Sequence, residues 1–184
     1  MKAQLLTYDF KRLIKATGKF IYKEDTRPLL TYIRLEFDKD SKTITAVASN
    51  GHTLSTETAN CSYIEQNFTA YIKPYMPIGA NDPFCIIELS NDRCLIDIGG
   101  RMVGYKQPAG EYMEYKQIIT DFEALPVLNE IHLSRQYLLD AINSFTSESI
   151  KISPVTIQIR ESRQPISVKM GKSTRYILPV RNAK

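Results

Sequence analysis

The chain contains only two histidines, His52 and His132, and His52 is the first candidate for chemistry. It follows Asn50-Gly51, a pair that favours a tight turn because both residues tolerate a positive φ. An imidazole at a bend between strands can accept a proton from a nucleophile, or it can form one side of a groove. No nucleophile-elbow motif accompanies His52. We therefore assign no catalytic residue. An enzyme that acts through His52 is a hypothesis that ranks below the two binding functions described further on.

Other residues that could carry chemistry lack the required spacing. Gly171-Lys172-Ser173-Thr174 matches the end of a P-loop, but Ile166 stands where its first glycine should be, and a strand is predicted to follow. The three cysteines are widely spaced, form no C-x-x-C pair, and are predicted to be reduced, packed thiols: Cys61, Cys85 and Cys94. We predict neither a metal nor a cofactor.

Composition indicates a globular protein whose mild net charge permits contact with nucleic acid without requiring it. The net charge is +4. The length of 184 residues is enough for one large domain or for one ordinary domain plus a fragment. No apolar run approaches the roughly 20 residues that span a bilayer, and the N-terminus lacks the apolar core of a signal peptide. These features predict a cytoplasmic protein with no membrane contact.

Two segments share one apolar pattern, which indicates an internal duplication. Asp9–Phe20 and Ser134–Phe145 each begin with a favourable N-cap residue and continue with the i, i+3, i+4, i+7 spacing of an amphipathic helix. The paired positions are Leu13 with Leu138, Ala16 with Ala141, Thr17 with Ile142, and Phe20 with Phe145.

Each predicted helix lies between a short strand and a run of further strands. Gln4–Tyr8 and Asn129–Leu133 precede the helices. The first helix is followed by Leu29–Phe37, Lys42–Ala48 and Thr53–Ala59, and the second by Ser149–Ile152, Val155–Arg160, Pro165–Met170 and Arg175–Val180. The region between has the same outline with a broken helix and the strands Phe68–Ile72, Phe84–Leu89, Arg93–Ile98 and Arg101–Gln107. The sequence thus predicts an α+β fold of antiparallel sheets with amphipathic helices, in about three βαβββ half-units.

The first helix concentrates positive charge opposite its apolar face, at Lys11, Arg12, Lys15 and Lys19. Such a face is either simply solvated or directed at phosphates, which would give non-specific and salt-dependent binding. The charges alone leave both interpretations open.

Several motifs together resemble one family, the bacterial sliding clamp, which is the β subunit of the replicative DNA polymerase III. Thr45–Leu54, T-A-V-A-S-N-G-H-T-L, is similar to the family's T-A-V-A-T-D-G-H-R-L. Further similar segments are Phe10–Thr17, Arg27–Leu30, Ile33–Glu36, Gly110–Tyr115 and Tyr176–Arg181. The resemblance implies the DNA-clamp, or processivity-factor, fold. Residues 1–120 would be one domain like the family's middle domain, and residues 121–184 would match only the C-terminal half of its last domain.

The resemblance also implies a function, because family members bind short linear peptides of polymerases and other replication proteins in an apolar groove. The first wall of that groove would be Leu30, Ser49, Gly51, His52, Thr53 and Leu54, and the second wall Ile177, Leu178, Pro179 and Val180. Thr53 departs from the family's usual Arg, which predicts an altered peptide preference. Residues expected to face the backbone of double-stranded DNA are Lys11, Arg12, Lys15, Lys19 and Arg27.

The leading hypothesis is therefore a non-catalytic, clamp-like DNA replication accessory protein that binds such peptides and encircles DNA as a homo-oligomer. The alternative is a peptide-binding adaptor or decoy with the same fold that does not encircle DNA. A monomer without salt-sensitive DNA affinity would favour the alternative.

Overall fold

Antiparallel strands are the main regular structure of the chain. The computed structural model describes residues 1–24, 26–51, 53–75, 82–124, 131–143, 154–159, 165–170 and 173–180. The chain divides into two compact units, unit 1 (Met1–Lys116) and unit 2 (Gln117–Lys184). The elements are β1 (Lys2–Leu6), α1 (Thr7–Thr17), β2 (Ile33–Asp38), β3 (Thr43–Ser49), β4 (Leu54–Ile64), β5 (Phe68–Ile72), β6 (Phe84–Ser90), β7 (Arg93–Ile98), β8 (Arg101–Lys106), α2 (Tyr115–Glu123), α3 (Arg135–Asn143), β9 (Thr156–Gln158), β10 (Ile166–Met170) and β11 (Ser173–Ile177). No helix among the described residues is long and apolar enough to cross a membrane.

Unit 1 contains one eight-stranded sheet in the order β5-β2-β3-β4-β1-β6-β7-β8. Its strands alternate between core and outer face, as half-buried strands do, and in β2 the core residues are Ile33, Leu35 and Phe37. Helix α1 packs its apolar stripe onto this sheet and buries Phe10 and Leu13 completely. The core of unit 1 therefore lies between α1 and the inner face of the sheet.

The two halves of unit 1 exchange their first strands. Strand β1 pairs with β6 of the second half, with Leu5 opposite Cys85, and β5 pairs with β2 of the first half, with Phe37 opposite Phe68. The rings of Phe37 and Phe68 stack at a centroid distance of 4.1 Å. Each half thus covers a sheet edge of the other.

A side-chain amide joins the two outermost strands of this sheet. Gln107 follows β8, and its Oε1 accepts a hydrogen bond from the Tyr71 N–H of β5 at 2.8 Å. Its Nε2 donates to the Tyr71 carbonyl at 2.9 Å. The amide therefore satisfies both backbone groups of an edge residue, as a neighbouring strand would.

Unit 2 contains a three-stranded sheet in the order β11-β10-β9, packed against α3. Among the described residues of unit 2, the buried apolar side chains are Ala141, Ile166, Val168 and Ile177. After β11, the Val180 N–H donates to the His132 carbonyl at 2.8 Å, which ties the segment before α3 to this sheet.

One of the two predicted helix N-caps is confirmed and the other is wrong. Ser134 caps α3 as predicted, with its Oγ accepting from the Tyr137 N–H at 3.4 Å. The prediction for Asp9 is wrong, because α1 begins two residues earlier at Thr7 and Leu6 occupies the N-cap without a side-chain hydrogen bond. Asp9 instead lies in the first turn, where its charge complements the helix dipole.

The predicted strands of unit 1 are largely confirmed. Phe68–Ile72 and Arg93–Ile98 have the predicted bounds, and Asn91 takes a positive φ of 50° in the turn between β6 and β7. The first part of the predicted strand Leu29–Phe37 is wrong, because Pro28–Thr31 forms a 3₁₀ helix with proline at its start.

The predictions for unit 2 are less accurate. Residues 131–133 form no strand in the described chain, and β11 ends at Ile177 rather than at Val180, since Pro179 has no N–H for a ladder. Helix α2 was not predicted. The predicted strand Ser149–Ile152 and the turns near Ser162 and Gly171 lie outside the described residues.

Candidate functional site

A network of short hydrogen bonds shapes the turn between β3 and β4, which carries most of the first wall. The Ser49 hydroxyl donates to the Thr53 carbonyl at 2.8 Å and accepts from the Gly51 N–H at 3.1 Å. The Asn50 carboxamide oxygen accepts from the Thr53 N–H at 2.8 Å and from its hydroxyl at 2.9 Å. The predicted tight turn is confirmed. His52 lies outside the described residues, so its role stays a prediction.

The backbone conformation of this turn favours glycine at position 51. Gly51 has a φ of +84°, in the left-handed region that side chains disfavour. A Cβ at this position would also lie 2.5 Å from Nη1 of Arg27. Arg27 is therefore a neighbour of the first wall, a contact that the sequence did not indicate.

Gly110–Tyr115, one of the segments that resemble the clamp family, packs against residues of the first wall and the 3₁₀ helix beside it. Gly110 has a φ of +109°, and a Cβ there would lie 3.2 Å from Leu29 Cδ1, beside Leu30 in the 3₁₀ helix. Tyr112 is buried beside the backbone of Ser49, and burial raises the pKa of its phenol to about 12. Tyr112 therefore acts here as a neutral packing residue.

An ion-pair network on the outer face of β2 fixes this segment in place, and sequence reasoning missed it. Arg34 Nε lies 2.9 Å from Glu36 Oε1, and Lys116 Nζ lies 2.7 Å from Glu36 Oε2. The guanidinium carbon of Arg34 lies 5.5 Å from the ring centroid of Tyr112 and 5.9 Å from that of Tyr115. The sequence signal for this network was the pair of charged residues, Arg34 and Glu36, on the outward face of β2. Two such charges need partners once that face is covered.

The second wall follows the end of β11 in unit 2. Ile177 is buried in the small core of that unit, whereas Leu178 is 69% exposed. Pro179 is half-buried and Val180 is exposed. An apolar side chain this exposed next to a fixed strand end is available to a ligand.

Helix α1 and the 3₁₀ helix that follows it (Gly18–Phe20) present an exposed lysine face composed of Lys11, Lys15 and Lys19. The three lysines line a shallow depression together with Ile14, Gly18 and Pro74. Arg12 is held differently, because its guanidinium donates to Glu57 Oε2 at 2.7 Å and to the Thr58 carbonyl at 2.8 Å. The predicted opposition between charged and apolar faces of α1 is confirmed, since Leu13 and Thr17 are fully buried.

The three cysteines are free and buried, as predicted. Burial raises the pKa of the Cys61 and Cys94 thiols to about 12, and it also raises that of Cys85. Neutral thiols are poor nucleophiles and poor metal ligands. Within the described part of the chain, no group of three or more His, Cys, Asp or Glu residues is placed to hold a metal ion.

The arrangement of strands and helices matches solved sliding clamps, and the chain has the sliding-clamp fold. A structure from Eubacterium rectale assigned as a DNA polymerase III beta subunit matches with a TM-score of 0.82 at 16% identity, covering 97% of this chain and 50% of that chain. The DNA polymerase sliding clamp of Bacillus subtilis matches with a TM-score of 0.78 at 16% identity, covering 97% and 49%. The predicted α+β clamp fold is thereby confirmed.

A third match bears on ligand binding. The C. crescentus β sliding clamp, crystallised with polyethylene glycol in its proposed β-motif tethering region, matches with a TM-score of 0.78 at 16% identity, covering 97% of this chain and 50% of that chain. No family model and no curated protein sequence matches the chain. The chain spans about half the length of the clamp structures that it matches.

Proposed function

We propose that this protein is a non-catalytic, clamp-like accessory factor of DNA replication that acts in the cytoplasm and binds short peptide motifs of polymerases or other replication proteins. The observation that carries the proposal is the clamp fold over 97% of the chain. We further propose that residues 1–120 correspond to the middle domain of a clamp and residues 121–184 to the C-terminal half of its last domain.

The peptide would contact both walls. The first wall supplies a rigid turn, fixed by the hydrogen bonds of Ser49 and Asn50, whose backbone can pair with an extended peptide. The second wall supplies an exposed apolar side chain, Leu178, against which an apolar peptide anchor can pack. In this chain the Thr53 hydroxyl is bound within the turn, so a peptide residue that pairs with the family's arginine would lose its partner here.

A fluorescence-anisotropy titration tests the proposal. A labelled peptide of the Gln-x-x-Leu-Phe type, which clamps of this family bind, is expected to bind with a micromolar dissociation constant, equivalent to about −8 kcal/mol. A peptide of the same composition in scrambled order serves as the control. Equal affinity for both peptides, or no binding of either, would contradict the proposal.

We also propose that the lysine face of α1 contacts the phosphate backbone of double-stranded DNA without reading bases, once the protein surrounds DNA as an oligomer. Lys15, in the last turn of α1, and Lys19, in the 3₁₀ helix after it, are exposed and would contribute most. Arg12 is already paired with Glu57 and would contribute less, whereas Arg27 lies beside Gly51 of the first wall.

Replacing both Lys15 and Lys19 with alanine is expected to weaken DNA binding and to reduce the slope of log K against log salt by about 2, one for each lost phosphate contact. Filter binding over a range of salt concentrations measures that slope. The double variant Lys39→Ala/Lys106→Ala removes the same charge from exposed positions outside α1 and is expected to keep the slope. Equal losses in both variants would refute a dedicated face, and no salt-sensitive affinity in the wild type would favour the adaptor.

A further inference from the structure

The core-facing side of β9 in unit 2 is exposed. Ile157 is paired with Val168 of β10, so the two side chains point to the same face of the sheet. Val168 is fully buried, whereas Ile157 is 48% exposed. Val155 and Ile159, two residues to either side of Ile157, are also exposed. An apolar row at the edge of a core is costly to leave in water, and it indicates a surface that is covered in the functional state.

Unit 1 shows how the same fold covers the equivalent row. The order β9-β10-β11 in unit 2 repeats the order β2-β3-β4 in unit 1. In β2 the core-facing residues Ile33, Leu35 and Phe37 are buried, because β5 of the other half lies along the outer edge of β2. Among the described residues of unit 2, no strand pairs with the outer edge of β9.

Helix α3 is incompletely covered in the same way. Ile142 lies on the apolar stripe at the position that Thr17 occupies in α1. Thr17 is fully buried, but Ile142 is 38% exposed. The core of unit 2 is thus open on the helix side as well as on the strand side.

The edge of unit 2 opposite β9 corresponds to β1, the strand that in unit 1 pairs with an edge of the other half. Residues 131–133 lie beside the chain that follows β11, through the hydrogen bond from Val180 to His132. In unit 1, β1 lies beside β4 in the corresponding place, and the Glu65 N–H donates to the Lys2 carbonyl at 2.9 Å. The other edge of β1 pairs with β6, which is the counterpart of β2 in the second half. Unit 2 therefore carries counterparts of both edges that pair where the two halves of unit 1 meet.

We infer that two copies of this chain associate through unit 2, with residues 131–133 of each copy along β9 of the other. A two-fold axis makes both contacts identical, so one surface suffices and the assembly closes. The row around Ile157 would then be buried as the row in β2 is. The inference deepens the proposed homo-oligomer by naming its interface, and it does not depend on peptide or DNA binding.

Sedimentation equilibrium of the full chain tests the interface. The wild type is expected at an even multiple of the 21.0 kDa chain mass, and Ile157→Lys at half the wild-type value. The dissociation constant should rise at least about 100-fold, because a buried charge is introduced twice in a two-fold interface. Met102→Lys is the control, since Met102 is 61% exposed on the edge strand β8 of unit 1 and should not affect the mass. A monomeric wild type, or an unchanged mass for Ile157→Lys, would overturn the inference.

Two further measurements remain informative if Ile157→Lys fails to fold. A third distinguishes failure of this inference from failure of the proposed function. Ile157→Thr keeps a β-branched residue at the position and is expected to weaken association by about 10-fold while retaining the wild-type circular dichroism. In the wild type, amide exchange within residues 154–159 is expected to slow as the protein is concentrated. Exchange that is independent of concentration would count against the interface. Peptide binding by the dissociated variant would show that the proposed function survives without it.

Discussion

Replacing Leu178 with aspartate is expected to abolish binding of a Gln-x-x-Leu-Phe peptide, with an increase in the dissociation constant of at least about 100-fold. Leu178 is 69% exposed, directly after a strand end that is fixed by buried Ile177. A carboxylate there would have to lose its hydration against an apolar peptide side chain, without a partner charge. Fluorescence anisotropy with the labelled peptide measures the change.

The effect of this substitution should be specific to binding. Because Leu178 is exposed, its replacement is expected to change the free energy of unfolding by about 0.5 kcal/mol or less. Tyr137→Asp is the matched control, since Tyr137 is also an exposed apolar residue of unit 2 but lies on α3, outside both walls. Wild-type affinity in Leu178→Asp, or equal loss in Tyr137→Asp, would place the peptide elsewhere.

Phe68→Ala is expected to lower the free energy of unfolding of unit 1 by about 3–5 kcal/mol, a large fraction of the stability of a typical domain. Phe68 is buried in β5 and stacks on Phe37 of β2, so it fills the contact where one half covers the edge of the other. Truncation leaves a cavity at that contact as well as removing the stacked ring. Urea denaturation monitored by circular dichroism measures the loss.

Phe84→Ala makes the same chemical change at an exposed position in β6 and is expected to cost less than about 1 kcal/mol. Phe68→Leu, which conserves most of the volume, should cost less than about 1.5 kcal/mol. A loss below about 1 kcal/mol for Phe68→Ala would contradict the role of strand exchange in stabilising unit 1.

The strands of unit 1 were predictable because local signals bound them on both sides. Phe68–Ile72 and the largely apolar run Arg93–Ile98 are each bounded by clear turn residues, and both have the predicted limits. The exchange of β1 and β5 was not predictable. An alternating strand shows which face is buried but carries no information on which strand lies beside it.

The first wall was predictable only in its local part. Asn50-Gly51 specifies a turn from its own conformational preferences, and the structure confirms it. The contact of Arg27 with Gly51 and the network of Arg34, Glu36 and Lys116 join residues far apart in sequence, so spacing could not reveal them.

Helix α2 is a different case, because its signal is present in the sequence. Tyr115, Ile118, Ile119 and Phe122 have the i, i+3, i+4, i+7 spacing of an amphipathic helix. The segment that resembles the family ends at Tyr115, the first residue of the helix, so the resemblance carries no indication of α2.

The proposed assignment of the peptide-binding residues is tested most directly by photo-crosslinking. The phenylalanine of a Gln-x-x-Leu-Phe peptide is replaced by benzoylphenylalanine, the complex is irradiated, and the attachment sites are mapped by mass spectrometry. Attachment within residues 49–54 and 177–180, suppressed by unlabelled peptide, is the expected result. Suppressible attachment elsewhere, for example along α1, would contradict the assignment.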